Sequence, residues 1–73
     1  MSASSTIVNI EFYDGQKHTA YEQVSMPRVP VAGEIITYKA HAYKVDEVEW
    51  AVSAGGWGTL EATPFLTVKK EQD

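Results

Sequence analysis

The stretch YKVDEVEWAV, residues 43–52, contains the pattern that decides the fold. Its apolar and polar side chains alternate as in a half-buried strand, but the alternation changes phase at Asp46-Glu47. Apolar residues stand at odd positions before this pair and at even positions after it: Tyr43, Val45, Val48, Trp50 and Val52. Because strand side chains repeat with a period of two, the phase changes only when an extra residue enters the ladder. The sequence therefore predicts a β-bulge at Asp46-Glu47 that bends the strand and keeps all five apolar residues on its inner face. The alternative is that the break is incidental and one set of residues faces a partner chain.

A β-hairpin is predicted upstream of this stretch. TIVNIEFY, residues 6–13, is rich in β-branched and aromatic residues, with Val8, Ile10 and Phe12 on one face. Asp14-Gly15 follows and is a strong signal for a two-residue turn. QKHTAYEQV, residues 16–24, then returns as the second strand. We predict a register in which Tyr13 lies opposite Gln16 and Glu11 lies opposite His18.

The rest of the chain alternates between extended segments and turns. Two prolines in MPRVPVAGE, residues 26–34, lack a ladder donor, so this segment is predicted to be an extended connection that ends in a turn. No window shows the 3.6-residue apolar period of a helix. We predict an all-β chain of five strands, forming a small barrel or a strongly bent sheet. A short hairpin link is expected around Ala40-His41, and Pro64 is expected to mark an edge or to divide the last strand. The last three predicted strands are EIITYK (34–39), AYKVDEVEWAV (42–52) and TLEATPFLTVKK (59–70).

The order of these elements resembles a known class of small barrels. A strand is followed by a proline-marked loop ending in GE, a short hairpin and a Y-x-V-x-x-V-x-W strand. Over residues 27–52 this arrangement resembles small SH3-like β-barrel proteins, many of them accessory or structural proteins of bacteriophages and mobile elements. The resemblance implies an SH3-like barrel. Its matching positions are explained by turn chemistry or core packing, so the resemblance carries no activity with it. The matching residues are Pro30, Gly33, Glu34, Ile36, Tyr43, Val45, Val48 and Trp50.

Composition narrows the possible functions. The chain has 73 residues, a formal net charge of −4 and no cysteine, which excludes disulfides and thiolate zinc sites. Its few basic residues are scattered, so we expect no binding of duplex nucleic acid, which needs a basic face. No stretch approaches the ~20 apolar residues that span a bilayer, and no signal peptide is evident. We expect a cytoplasmic protein that makes no membrane contact, with a disordered segment at 1–5, one domain at 6–69 and a frayed end at 70–73.

The main candidate for a binding residue is Trp57, which stands between glycines in GGWG. A tryptophan on a glycine-rich turn is typical of hot-spot anchors for protein partners. The alternative is that Trp57 folds back and plugs one end of the barrel. The rigid RVPVAGE connection offers a second candidate surface. The predicted partner-binding residues are Trp57, Arg28, Val29, Pro30, Val31 and Glu34.

Other residue constellations have simpler explanations. The aromatic residues could stack bases of a single strand, but they are sufficient to form the core and its rim. Glu11 and His18 are interpreted as a solvated ion pair rather than a pH sensor. Glu47 and Glu49 share one side of a strand, where no pocket is expected to shift their pKa values apart. Ser53 has neither a base nor a nucleophile-elbow context, and the two histidines lack the spacing of metal ligands. We therefore predict no enzyme, no cofactor and no metal site.

Three functional hypotheses remain open after the sequence analysis. The first is a non-enzymatic protein-interaction module, such as a phage or mobile-element accessory protein. The second is a structural protomer that assembles through strand edges into a homo-oligomer. The third is a binder of single-stranded nucleic acid that uses its surface tyrosines.

Overall fold

The computed structural model describes residues 5–71 and contains one mixed sheet of five strands. The strand order is β2-β1-β5-β4-β3, and all neighbours are antiparallel except the parallel pair of β1 and β5. The sheet curls through 230° into a half-barrel, which confirms the predicted all-β, strongly bent architecture and is consistent with a small SH3-like barrel. The strands are β1 Thr6–Asp14, β2 Lys17–Met26, β3 Ile35–Tyr38, β4 His41–Ala54 and β5 Leu60–Lys70.

The predicted bulge is present in β4. Val45 lies opposite Val68, the next pair is Glu47 with Thr67, and Asp46 is the extra residue. The Asp46 carboxylate lies 3.6 Å from the ammonium group of Lys69, so the extra residue points to the outer side of the sheet, where water screens the pair. The bulge therefore restores the phase of the strand and brings Val45 and Val48 onto the same face.

The core occupies the concave side of the half-barrel. Seven hydrophobic side chains from β1, β4 and β5 are buried there. The buried side chains of β1 and β5 contact each other because paired residues of neighbouring strands lie on the same face of the sheet. Phe12 is stacked on Tyr38, with ring centroids 4.2 Å apart, so the short strand β3 also covers part of the core. The buried residues are Val8, Ile10, Phe12, Tyr43, Val45, Leu66 and Val68.

The register predicted for the first hairpin is wrong, although the hairpin itself is confirmed. Asp14 pairs with Lys17, which leaves Gly15 and Gln16 as the two loop residues, with Gly15 at a φ of 66°. Asp14 is thus the last residue of β1 and not the first of the turn. A second bulge, between Phe12 and Tyr13, shifts the ladder so that Glu11 faces Tyr21. The shift came from a feature that the alternation of residue types does not reveal.

The hairpin between β3 and β4 is also confirmed, with its turn one residue earlier than predicted. Tyr38 pairs with His41, and the two loop residues are Lys39 and Ala40. Both have positive φ angles, of 49° and 69° respectively. Two-residue turns of this kind favour Asn-Gly, because other residues are strained in the left-handed region.

The ordered chain extends slightly beyond the predicted domain boundary at residue 69. Lys70 belongs to β5, and the backbone N–H of Glu71 donates a 2.9 Å hydrogen bond to the carbonyl of Ala42. The other residues of the predicted disordered start and frayed end, 1–4 and 72–73, lie outside the described residues. Between residues 5 and 71, no helix is long and apolar enough to cross a membrane.

Candidate functional site

Two strands extend beyond the body of the half-barrel. β5 pairs with β1 only from Phe65 onward, and β3 pairs with β4 only as far as Lys44. Residues 50–64, from the pair of Trp50 and Pro64 to the tip, therefore form a two-stranded ribbon, which we call the arm. A ribbon of two strands is only marginally stable in water by itself, so contact with a partner would stabilise the arm.

The arm continues the apolar inner face of the sheet without covering it. Trp50 lies opposite Pro64 and Val52 opposite Ala62, in the same alternation that places Leu66 and Val68 in the core. The prediction that Trp50 and Val52 lie on the inner face is correct, but the two side chains are exposed there. Their exposed fractions are 52% and 61%, and that of Leu60 is 74%. Large apolar side chains that share one exposed face are typical of interaction surfaces.

The tip of the arm presents Trp57 to solvent. Its exposed fraction is 103%, so the alternative in which it plugs the barrel is wrong. Trp57 lies in a short 3-10 turn, Gly56–Gly58, with a φ of 62°. The turn is closed by a 2.7 Å hydrogen bond from the N–H of Gly55 to the carbonyl of Thr59, and by a 2.7 Å bond from the Thr59 hydroxyl to the carbonyl of Gly56. A hydrogen-bonded turn therefore holds the indole outward in a backbone conformation that costs about 1–2 kcal/mol.

An apolar groove lies at the root of the arm. It has a volume of about 470 Å³ and runs between the proline connection and the bulged part of β4. Pro30 is buried and Val29 is half-buried against the core, so these two predicted contact residues mainly pack the groove floor. Val31 is exposed on its rim. The lining residues are Val29, Pro30, Val31, Ala32, Asp46, Glu47, Val48 and Trp50.

Arg28 and Glu34 hold the proline connection in shape. The guanidinium donates two hydrogen bonds to the Glu34 carboxylate, of 2.8 and 2.5 Å, and the backbone N–H of Val31 donates a third, of 2.7 Å. The Arg28 hydrogen bonds, followed by that from Val31, lower the pKa of Glu34 to about 2. The same contact raises the pKa of Arg28. These two predicted site residues thus form an exposed clamp that fixes the groove wall.

The structure brings together some of the predicted site residues and separates others. Val29, Pro30 and Val31 line one side of the groove, whereas Arg28 and Glu34 line a neighbouring hollow and Trp57 lines neither. The apolar face of the arm, with Val52 and Leu60, lies between the groove and Trp57. Sequence reasoning did not single out Val52 and Leu60 as surface residues, because alternation gives the face of a strand residue but not whether that face is covered. The available signal was length: β4 was predicted to be much longer than its neighbour β3.

The remaining candidates are dispersed. Glu47 and Glu49 are exposed and line an open hollow of about 520 Å³ with Glu11 and Thr67. Within residues 5–71, no group of three potential ligands could hold a metal. Glu11 and His18 lie 3.4 Å apart on the surface. The aromatic residues do not share one platform, since Tyr38 and Tyr43 pack on Phe12 whereas Tyr21 bonds Asn9 on the outer face.

Comparison of the chain with family models, with curated proteins and with solved structures found no match. The function is therefore argued from the arm and the groove.

Proposed function

We propose that this chain is a non-catalytic protein-interaction module that binds through the arm and the adjoining groove. The observation that supports this most directly is the conformation of Trp57. Its side chain is fully exposed, and its backbone occupies a strained left-handed region where glycine would be more stable. A residue that lowers stability and contributes nothing to the core is best explained by a contact outside the chain.

The chemistry of the surface favours a protein as the partner. Tryptophan is the residue type most enriched at interface hot spots, and anchors of this kind work when neighbouring apolar contacts exclude water. The arm supplies such neighbours in Trp50, Val52 and Leu60, and the groove adds a second apolar concavity. The resemblance to accessory proteins of bacteriophages and mobile elements supports the same class of role.

A quantitative capture experiment tests this proposal. The full chain, Trp57→Ala and Ile7→Ala are used as baits in lysate of the native host, and bound proteins are quantified by mass spectrometry. Ile7 is the matched control because it is an exposed apolar residue of β1 outside the arm and the groove. We expect partners of the wild-type chain to be reduced about tenfold or more with Trp57→Ala, as for a hot spot, and to be kept with Ile7→Ala. Partners that persist unchanged with Trp57→Ala would show that the surface is wrong.

A second candidate function is a structural protomer that assembles through strand edges. The specific observation is the outer edge of β4, which no backbone segment covers along the arm in the described part of the chain. Light scattering over a concentration series tests this function. A protein that stays monomeric throughout would eliminate it and leave the interaction module in place.

A further inference from the structure

The edge of β4 is open over most of its length. Val45 is the last residue bonded on that side: its N–H donates to the carbonyl of Glu34 at 2.8 Å, and its carbonyl accepts from Gly33 at 2.9 Å. From Glu47 to Ala54, the β4 backbone is paired only with β5 within the described residues. A strand edge with unpaired N–H and carbonyl groups is a template for another strand.

The other edge of the arm is interrupted at its root by Pro64. Along Leu60–Pro64, β5 has not yet reached its pairing with β1, but Pro64 has no N–H to donate. The Pro64 carbonyl already accepts a 3.3 Å hydrogen bond from the Asn9 side chain. From Glu47 to Ala54, the β4 edge contains neither proline nor lysine, both of which protect strand edges. Strand addition to the arm is therefore directed to β4.

We propose that this edge pairs with the same edge of a second copy of the chain, antiparallel, about a two-fold axis at Ala51. The inference rests on the second candidate function, assembly through strand edges, and names a second copy of the chain as the partner. In this register Trp50 lies opposite Val52 of the second copy. Directly opposed residues of antiparallel strands share a face, so both apolar side chains remain on the inner face and contact each other.

The charge distribution along the β4 edge favours antiparallel over parallel pairing of two copies. Both acids, Glu47 and Glu49, lie in the first half of the edge, whereas the second half is small and neutral. Antiparallel pairing places Glu49 opposite Ser53 and brings Glu47 to the level of Gly55. Parallel addition of a second copy would place like carboxylates side by side, which is destabilising. The edge is thus complementary to itself, which is the argument for a second copy rather than an unrelated strand.

Pairing also remedies the weakness of the arm. Two arms joined through β4 form a ribbon of four strands, and three or more strands with an apolar face are what an independent sheet requires. Because the contact uses the same patch on both copies, it closes on itself as a dimer and does not propagate.

Cysteine cross-linking tests the register. The chain has no cysteine, so Ala51→Cys introduces its only thiol. Opposed Cα atoms of antiparallel strands lie about 4.5–5.5 Å apart, within the range that a disulfide spans. Under mild oxidation we expect Ala51→Cys to form a covalent dimer quickly. Thr63→Cys is the matched control, since Thr63 is also exposed and lies opposite Ala51 within the same arm. Equal cross-linking of both variants, or of neither, would overturn the proposal.

A charge-swap experiment tests the axis independently. Ala51→Glu and Ala51→Lys each place like charges opposite themselves at the axis, and we expect each to weaken the dimer about tenfold or more. A mixture of the two variants should restore dimerisation as a heterodimer, measured by native mass spectrometry. Circular dichroism of each variant checks folding, which an exposed position on the outer face should not disturb.

The outcomes separate this inference from the proposed function. A wild-type chain that is monomeric at every concentration removes the β4 pairing, as does a dimer that both charge variants retain. If such a chain still loses its captured partners with Trp57→Ala, the interaction module stands and only the self-pairing fails. If the dimer forms as described but Trp57→Ala changes no partner, the self-pairing stands and the wider binding surface fails.

Discussion

The hydroxyl of Tyr38 donates a 2.6 Å hydrogen bond to the carboxylate of Glu22 and thereby joins the two edge strands of the half-barrel. These strands, β3 and β2, share no backbone ladder among the described residues. The bond raises the pKa of Tyr38, with burial as a further cause. The hydrogen bond between Tyr38 and Glu22 thus bridges the gap between β3 and β2, where the sheet does not close into a full barrel.

Removing this hydroxyl should weaken the closure and leave the core intact. We expect Tyr38→Phe to lower the urea midpoint of unfolding, because the ring stack on Phe12 remains but a bond to a charged group is lost. Urea unfolding followed by circular dichroism measures the change. Tyr13→Phe is the control and should change stability by under about 0.5 kcal/mol, since the Tyr13 hydroxyl makes no hydrogen bond in the described part of the chain. Equal effects of both variants would contradict a bridging role.

The turn between β3 and β4 offers a stabilising substitution. Ala40 has a φ of 69°, so Ala40→Gly should raise the free energy of unfolding by about 1 kcal/mol through relief of strain. Ala42→Gly, nearby in β4, should lower it by about 0.5–1 kcal/mol, because a glycine in a strand adds only flexibility. Thermal and urea unfolding of both variants check the opposite signs. The strain argument fails if the two substitutions shift stability in the same direction.

The positive φ angle of Trp57 leads to a similar prediction about strain, and this one also concerns binding. Trp57→Gly should leave the protein at least as stable as the wild type, because the indole is exposed and the backbone strain is relieved. The same variant should lose the partners that depend on the arm tip. Unfolding and capture measured on one preparation separate the two effects. A large loss of stability would show that Trp57 serves the fold and not a partner.

The Arg28–Glu34 clamp predicts a specific dependence on acid. The folded-state pKa of Glu34 is lowered from its ordinary 4.5 to about 2, so its contribution to stability is fully present above pH 4.5. That contribution is lost as the pH falls from 4.5 through 2, where the carboxylate is protonated in the folded chain as well. Glu34→Gln should therefore show a flatter loss of stability over this window than the wild type.

Urea midpoints measured at several pH values give the comparison for the clamp. Glu49→Gln is the control, and it should keep the wild-type slope because it leaves the clamp intact. Added salt should reduce the difference between Glu34→Gln and the wild type, since the pair is accessible to solvent. An identical acid slope for wild type and Glu34→Gln would contradict the assigned pKa.

Asn9 provides a test of how the arm is attached to the body. Its buried amide accepts bonds from Tyr21 and Gln23, at 2.6 and 2.9 Å, and donates to Pro64 at the arm root. We expect Asn9→Leu to lower the free energy of unfolding by about 1–3 kcal/mol and to speed hydrogen exchange in the arm. Gln23→Ala, which removes only one exposed donor, should cost less than about 1 kcal/mol. Unchanged exchange in the arm of Asn9→Leu would show that the root is held by other contacts.

Local sequence patterns predicted the positions of the strands better than they predicted which strand residues are buried. The phase change at Asp46-Glu47 located the bulge, because strand periodicity leaves no other way to keep Val45 and Val48 on one face. Alternation reports which face a residue occupies but not whether another element covers that face. Trp50 and Val52 were therefore placed on the correct face, but their exposure on that face was not predicted. Burial at these positions depends on where β1 and β3 end, which is a tertiary property.

The candidate site was predictable only in part for a related reason. The glycines around Trp57 indicated an exposed aromatic, and the prolines indicated a rigid wall at Arg28 to Glu34. The groove, however, is formed by that wall together with Val48 and Trp50, which are distant in sequence. The register of the first hairpin was missed because its loop residues are Gly15 and Gln16 rather than Asp14 and Gly15, and because the bulge between the Phe12 and Tyr13 pairs interrupts no visible alternation.

The parallel pairing of β1 with β5 has a consequence for synthesis on the ribosome. The strand made last lies between β1 and β4, so the two earlier hairpins have no shared sheet until translation reaches residues 65–69. Pairing of segments so distant along the chain is slow, because a long loop must close before the contacts form. A chain that ends before Phe65 would therefore keep the two hairpins as separate ribbons with uncovered apolar faces, and we expect chaperones and proteases to recognise it.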